Sequence, residues 1–119
     1  MVVTMIDWQR VDELRQEIGD EGFAEVVELF LDEVEEVTAR LRNAPLPATY
    51  EEDLHFLKGS AWNLGFAGFG ALCQDGERKA ARGNAAAIDV GAILISYDES
   101  KAAFMKGLSL APADRSNAA

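Results

Sequence analysis

Apolar residues recur along this chain at the spacing of a helix, and no stretch alternates in the manner of a strand. Trp8, Val11, Leu14 and Ile18 keep that spacing after Asp7, a good N-cap, and Gly19 is a natural stop. Ile6 and Val11 occupy the two positions of a hydrophobic staple. A second helix is expected from Asp20 to about Asn43, with Phe23, Val26, Val27, Phe30, Val34, Val37 and Leu41 in one stripe. Its acids Glu25, Glu28, Asp32, Glu35 and Glu36 fall on the opposite face, where a solvated surface explains them better than a metal site.

Pro45 and Pro47 interrupt the pattern. Thr49, with Glu52 three residues on, then reads as a capping box opening a third helix that ends near Gly65. A fourth helix is expected from Ala67 to Arg82, closed by Gly83 and weakened by Gly68, Gly70 and Gly76. The last runs from about Asp89 to Leu108 with Val90, Ile93, Leu94, Tyr97, Phe104 and Leu108 on its apolar side. Helices joined by short connections predict an all-α fold, an antiparallel four-helix bundle with an additional short N-terminal helix. Residues 1–108 form the domain on this reading, and residues 109–119 a loose tail.

Composition narrows the function classes. With 119 residues there is room for one domain, and an apolar fraction of 49% suits a packed globule. A net charge of −10 argues against nucleic acid and anionic lipid as partners. The single cysteine, Cys73, allows no internal disulfide, and one cysteine with one histidine is too little for an ordinary zinc site. No basic, apolar leader opens the chain, and no apolar run approaches the roughly 18 residues of a membrane span. A cytoplasmic location is expected, with no metal of the protein's own.

The third helix carries the candidate chemistry. Tyr50, Leu54, Leu57, Ala61 and Leu64 share one arc that must face the core, and His55 points roughly 150° away from its centre. Gly59 lies one turn from His55 on that outer side, and Phe56 and Trp62 flank it. A mid-helix glycine is disfavoured by about 1 kcal/mol, so bare backbone beside an exposed histidine suits close approach by another molecule. Exposed aromatics there suit an approach that buries apolar area. Lys58, three residues after His55, can offset negative charge placed on the ring. A neutral imidazole nitrogen is a competent nucleophile toward phosphorus. The geometry equally allows an ordinary surface histidine, with Gly59 at a tight helix crossing and Trp62 covered by the next helix.

Read as His55, Phe56, Leu57, Lys58, Gly59, Ser60 and then Leu64 and Gly65, this stretch resembles the signature of histidine phosphotransfer (HPt) domains of two-component phosphorelays. Leu72 and Cys73, the turn from Glu17 to Phe23 and the acidic second helix are also similar to that family's layout. The resemblance implies His55 as the phosphoacceptor, Lys58 as support for the phosphoryl group and Gly59 as the small residue that admits the partner. It further implies that Glu77 hydrogen-bonds the imidazole and fixes its tautomer, although a plain surface acid fits Glu77 as well. Partner contacts are expected from Phe56, Trp62, Asn63, Trp8 and Val11, the last two alternatively buried against the bundle.

The implied partners are receiver domains of response regulators and a hybrid histidine kinase, with Mg²⁺ on the receiver rather than on this chain. No glycine-rich ATP-binding stretch is present, so a stoichiometric carrier without autokinase activity is expected. Two departures stand out: Trp62 where small residues are common, and Gly76 where a large apolar residue is common, which suggests a loosely packed fourth helix. The competing reading is a docking or inhibitory bundle that binds receivers or kinases without taking phosphate. A small metal-dependent hydrolase would need convergent polar groups in a cleft, and a single histidine offers little toward one.

Overall fold

The computed structural model describes residues 5–109, and all of its secondary structure is helical. Four α-helices follow one another: α1 (Trp8–Asn43), α2 (Tyr50–Leu64), α3 (Ala67–Ala81) and α4 (Val90–Leu108). Short 3₁₀ turns at Pro47–Thr49 and Ala85–Ala87 precede α2 and α4. α1 spans both of the helices expected before Asn43. Its backbone breaks from helical geometry at Gly19, with φ 79° and ψ 165°. Ile18, beside that break, is exposed rather than part of the apolar stripe.

Asp7 and Asp89 cap α1 and α4, their carboxylates accepting from the backbone N–H of Arg10 and Ala92. The capping box expected at Thr49 and Glu52 does not form. The Thr49 hydroxyl lies 3.0 Å from Leu46 O and 3.0 Å from Asp53 Oδ2, and Glu52 is exposed. Buried Asp53 also takes an ion pair from Arg40 of α1, so α2's first turn is fastened to α1 through Asp53. Three acids in that turn, Glu51, Glu52 and Asp53, complement the positive end of the helix.

Gly65 ends α2 in left-handed geometry, φ 93°, which favours glycine. A Cβ there would also come within 2.8 Å of Asp7 O and 2.9 Å of Val11 Cγ2. Asp7 N–H donates to Gly65 O at 2.7 Å, so the start of α1 is locked onto the α2–α3 corner. Val11 is 0% exposed as a result and belongs to the core, which removes it from any docking surface. Trp8 is half-buried, its ring stacked on Phe104 at 5.9 Å and fitted over Gly107, where a Cβ would overlap the indole. Its packed side thus belongs to the bundle.

The core centres on Phe66, whose ring meets Phe30 and Phe104, each at 5.1 Å; Phe69 in turn packs on Tyr97 at 5.3 Å. The inward arc of α2 is buried as expected, from Tyr50 through Leu54, Leu57 and Ala61 to Leu64. Among the described helices, α2 and α3 share the most extensive packing. Gly76 is buried between them: a Cβ would come within 2.8 Å of Leu54 Cδ1 and 3.4 Å of Ile93 Cδ1. The loose packing expected around Gly76 is therefore absent. The glycine lets Leu54 fill the space a larger residue would take, and α3 draws close to the helix that carries His55. The tail expected from residue 109 lies, beyond Ser109, outside the described residues.

Candidate functional site

His55 stands on the outer face of α2 because the opposite arc is buried, and its side chain is 69% exposed. The close α2–α3 packing brings Glu77 beside it. Glu77 Oε2 lies 2.7 Å from His55 Nδ1, and Glu77 Oε1 lies 2.5 Å from Lys58 Nζ. One carboxylate thus bridges the imidazole and the lysine, an oxygen to each.

The Lys58 hydrogen bond holds the Glu77 carboxyl below the ordinary carboxylate range; burial opposes this, and the His55 hydrogen bond adds to it. Glu77 is therefore ionised at neutral pH and can only accept hydrogen bonds. It follows that His55 Nδ1 carries the proton and donates it to Glu77. In the neutral imidazole the lone pair then resides on Nε2, which has no partner among the described residues.

Around this triad the surface is open. A Cβ added to Gly59 would meet nothing within 4 Å, so nothing inside the fold requires a glycine there. Phe56 is exposed, and so is Trp62 at 43%. Trp62 nevertheless leans on α3, where a Cβ on Gly70 would overlap its Nε1 and Cδ1, and Lys58 Nζ lies 5.9 Å over its ring. Asn63 is exposed but engaged: Arg10 of α1 donates to its backbone oxygen at 3.0 Å and to its Oδ1 at 3.1 Å. Its polar groups face the start of α1, not the imidazole.

Behind Glu77, buried Cys73 has its thiol pushed up to about 12 by desolvation and by the Glu77 charge, which makes it unreactive. Among the described residues no group of three or more His, Cys, Asp or Glu could hold a metal, and no helix is long and apolar enough to cross a membrane.

The structure thus joins His55, Lys58, Glu77 and Trp62 through direct contacts, with exposed Gly59 and Phe56 on the same helix, and leaves Trp8, Val11 and Asn63 outside the cluster. Sequence reasoning missed the Lys58–Glu77 pair and the seat for Trp62 at Gly70. A signal for both exists in α3, where Gly70, Cys73, Gly76 and Glu77 share one side of the helical wheel. A seam of small residues with one acid predicts close approach of a neighbouring helix to that acid.

Helices that offer an exposed histidine with one ring nitrogen already engaged define a histidine-bearing helical module. The family model for the Hpt domain matches residues 25–103, and the chain belongs to that family. Hpt domains are helical bundles that serve histidine phosphotransfer in phosphorelays, interacting with receiver and kinase domains of two-component systems. They are in general phosphotransfer modules without intrinsic kinase activity. No curated protein and no solved structure matches the chain.

Proposed function

We propose that this protein relays a phosphoryl group between aspartates of response-regulator receiver domains, carrying it on His55 Nε2. The observation that carries the reading is the 2.7 Å contact of Glu77 with Nδ1 on a ring that is 69% exposed. With Nδ1–H held, the Nε2 lone pair attacks the phosphorus of an aspartyl phosphate. The phosphorus–oxygen bond breaks, the aspartate leaves as a carboxylate, and a phosphorus–nitrogen bond forms. The imidazole becomes a cation that keeps its Nδ1 proton against ionised Glu77. No proton has to move, and the reverse step returns the group to another aspartate.

Lys58 supports the incoming phosphoryl oxygens, since its ammonium is held on the same carboxylate that engages the imidazole and lies one helical turn from His55. Gly59, Phe56 and Trp62 give the partner a flat, partly apolar approach. Mg²⁺ belongs to the receiver's aspartate site, and the chain holds no cofactor of its own. The partners are receiver domains and a hybrid histidine kinase, and the protein works in the cytoplasm without autokinase activity. We take residues 1–108 to form an antiparallel bundle, with the stretch before Gly19 as its short covering helix.

The test is incubation of the full chain with a phosphorylated receiver domain and Mg²⁺, alongside His55→Gln. Acid-labile phosphate should appear on the parent and not on the variant. Equal labelling of the two would overturn the reading.

A further inference from the structure

We propose that Trp62 is a positioning residue for Lys58: seated in a notch at Gly70, its indole walls the lysine in toward Glu77 and keeps a cation on the acid that engages His55. The proposal rests on the phosphoacceptor reading of His55 and adds to it the residue that holds the supporting charge in place.

Two matched pairs join α2 to α3. Trp62 meets Gly70, and Lys58 meets Glu77. On α2 the tryptophan and lysine are four residues apart and lie on one face; on α3 the glycine and glutamate are seven apart and do the same. Gly70 is buried, and any side chain there would collide with the indole, so the ring lies directly against the backbone of α3.

A lysine on an outer helix face ordinarily sweeps a wide volume on a flexible four-carbon stem. Lys58 is confined instead. Its ammonium is 2.5 Å from a carboxylate oxygen, it lies 5.9 Å over the Trp62 ring, and its side chain is only 19% exposed. That separation is within the roughly 6 Å over which an aromatic face attracts a cation. Trp8 supplies an internal comparison. It occupies a similar notch at Gly107 but stacks on Phe104, so there a tryptophan on a glycine packs against the core. The Trp62 ring instead borders Lys58, whose ammonium reaches Glu77, the acid that engages His55.

The experiment uses the full chain with Trp62→Ala, Trp62→Phe and Gly70→Ala. Alanine at Gly70 displaces the indole without altering it, and its higher helix propensity offsets part of the cost of the displaced ring, which gives a second route to the same test should Trp62→Ala fail to fold. The first readout is the NMR titration of the Glu77 side-chain carbon, which needs no phosphate. Its midpoint should rise toward the ordinary carboxyl value in Trp62→Ala and Gly70→Ala, and stay near the parent's in Trp62→Phe.

The second readout is the rate at which a phosphorylated receiver loads His55. Trp62→Ala should slow it roughly two- to fivefold, the range expected for a cation–aromatic contact, and by a clearly smaller factor in a Lys58→Met background, where only the indole's contact with the receiver is left to lose. An unmoved Glu77 midpoint in the displaced-indole variants, or an equal slowing in the Lys58→Met background, would overturn the proposal. A parent chain that shows the Glu77 shifts yet never accepts phosphate would instead overturn the phosphoacceptor reading and leave the positioning role standing.

Discussion

Among the described residues, two lysine–carboxylate pairs that join separate helices have nearly the same geometry and very different surroundings. Between α2 and α3, Lys58 Nζ lies 2.5 Å from Glu77 Oε1, and Glu77 Oε2 holds His55 Nδ1 at 2.7 Å. Between α1 and α4, Lys101 Nζ lies 2.5 Å from Glu35 Oε2, and the same oxygen accepts from the Tyr97 hydroxyl at 2.8 Å. In each case a lysine and a ring from one helix share a glutamate from another. The Tyr97 ring is 1% exposed, whereas His55 is 69% exposed.

Burial pushes the Tyr97 phenol well above its ordinary range, and the Glu35 hydrogen bond adds to this, so the phenol stays neutral and works as a hydrogen-bonded core residue. The His55 ring keeps one nitrogen in solvent. The same three-part motif therefore fastens two helices in one place and leaves a nucleophile open in the other. Whether the third partner faces the core or the solvent decides between them.

The comparison breaks most sharply under reciprocal truncation. Tyr97→Ala should destabilise the fold by about 3–5 kcal/mol through the cavity it leaves, while the folded fraction still takes phosphate on His55. His55→Gln should abolish phosphate acceptance and change stability by no more than about 0.5 kcal/mol, as for exposed positions generally. Urea unfolding together with acid-labile labelling by a phosphorylated receiver checks both. Loss of labelling in folded Tyr97→Ala would show that the two motifs are not separable.

The open surface gives the next effect. Gly59→Leu meets nothing in the fold, so it should leave stability unchanged or raise it by up to about 1 kcal/mol through helix propensity. It should slow loading from a receiver by at least about tenfold, the factor carried by 1.4 kcal/mol of lost fit. A folded Gly59→Leu protein that loads at the parent rate would remove the partner-approach role of that glycine.

The smallest effect is on acid stability. Lysine hydrogen bonds hold both Glu35 and Glu77 below the ordinary carboxyl value of 4.5. A carboxylate depressed in the folded state stabilises at pH above its unfolded value, and that contribution disappears as the pH falls through the folded value. Glu77→Gln should therefore flatten the fall in stability below about pH 4.5. Glu35→Gln should act in the same direction but less, since the Glu35 side chain is 41% exposed against 18% for Glu77 and solvent screens it more. Urea midpoints measured across that range decide, and an unchanged acid limb in Glu77→Gln contradicts the pairing.

Much of this arrangement was legible in the sequence wherever a single helix carries the information. The buried arc of α2 and the outward direction of His55 follow from periodicity alone, and both are found. So do the end of α2 at Gly65 and the turn at Gly83. Features that join two helices were not legible. Val11 lies under Gly65 because a backbone hydrogen bond pulls the start of α1 onto that corner, and no local pattern encodes that contact. Thr49 gives its hydroxyl to Leu46 and Asp53 rather than to a capping box, since the 3₁₀ turn before α2 sets its direction. Gly76 suggested looseness because its partner, Leu54, sits on another helix. Glu77 came into view only through family resemblance, and its pairing with Lys58 not at all.

The most direct test of the central claim is the protonation state of one ring. A long-range proton–nitrogen correlation spectrum of the full chain, recorded at mildly alkaline pH, distinguishes the two His55 tautomers. The account predicts a proton on Nδ1, donated to Glu77, with Nε2 bare, and a loss of that preference in Glu77→Ala. A proton on Nε2 in the parent chain would contradict it, because the solvent-facing nitrogen would then have no lone pair with which to take phosphate.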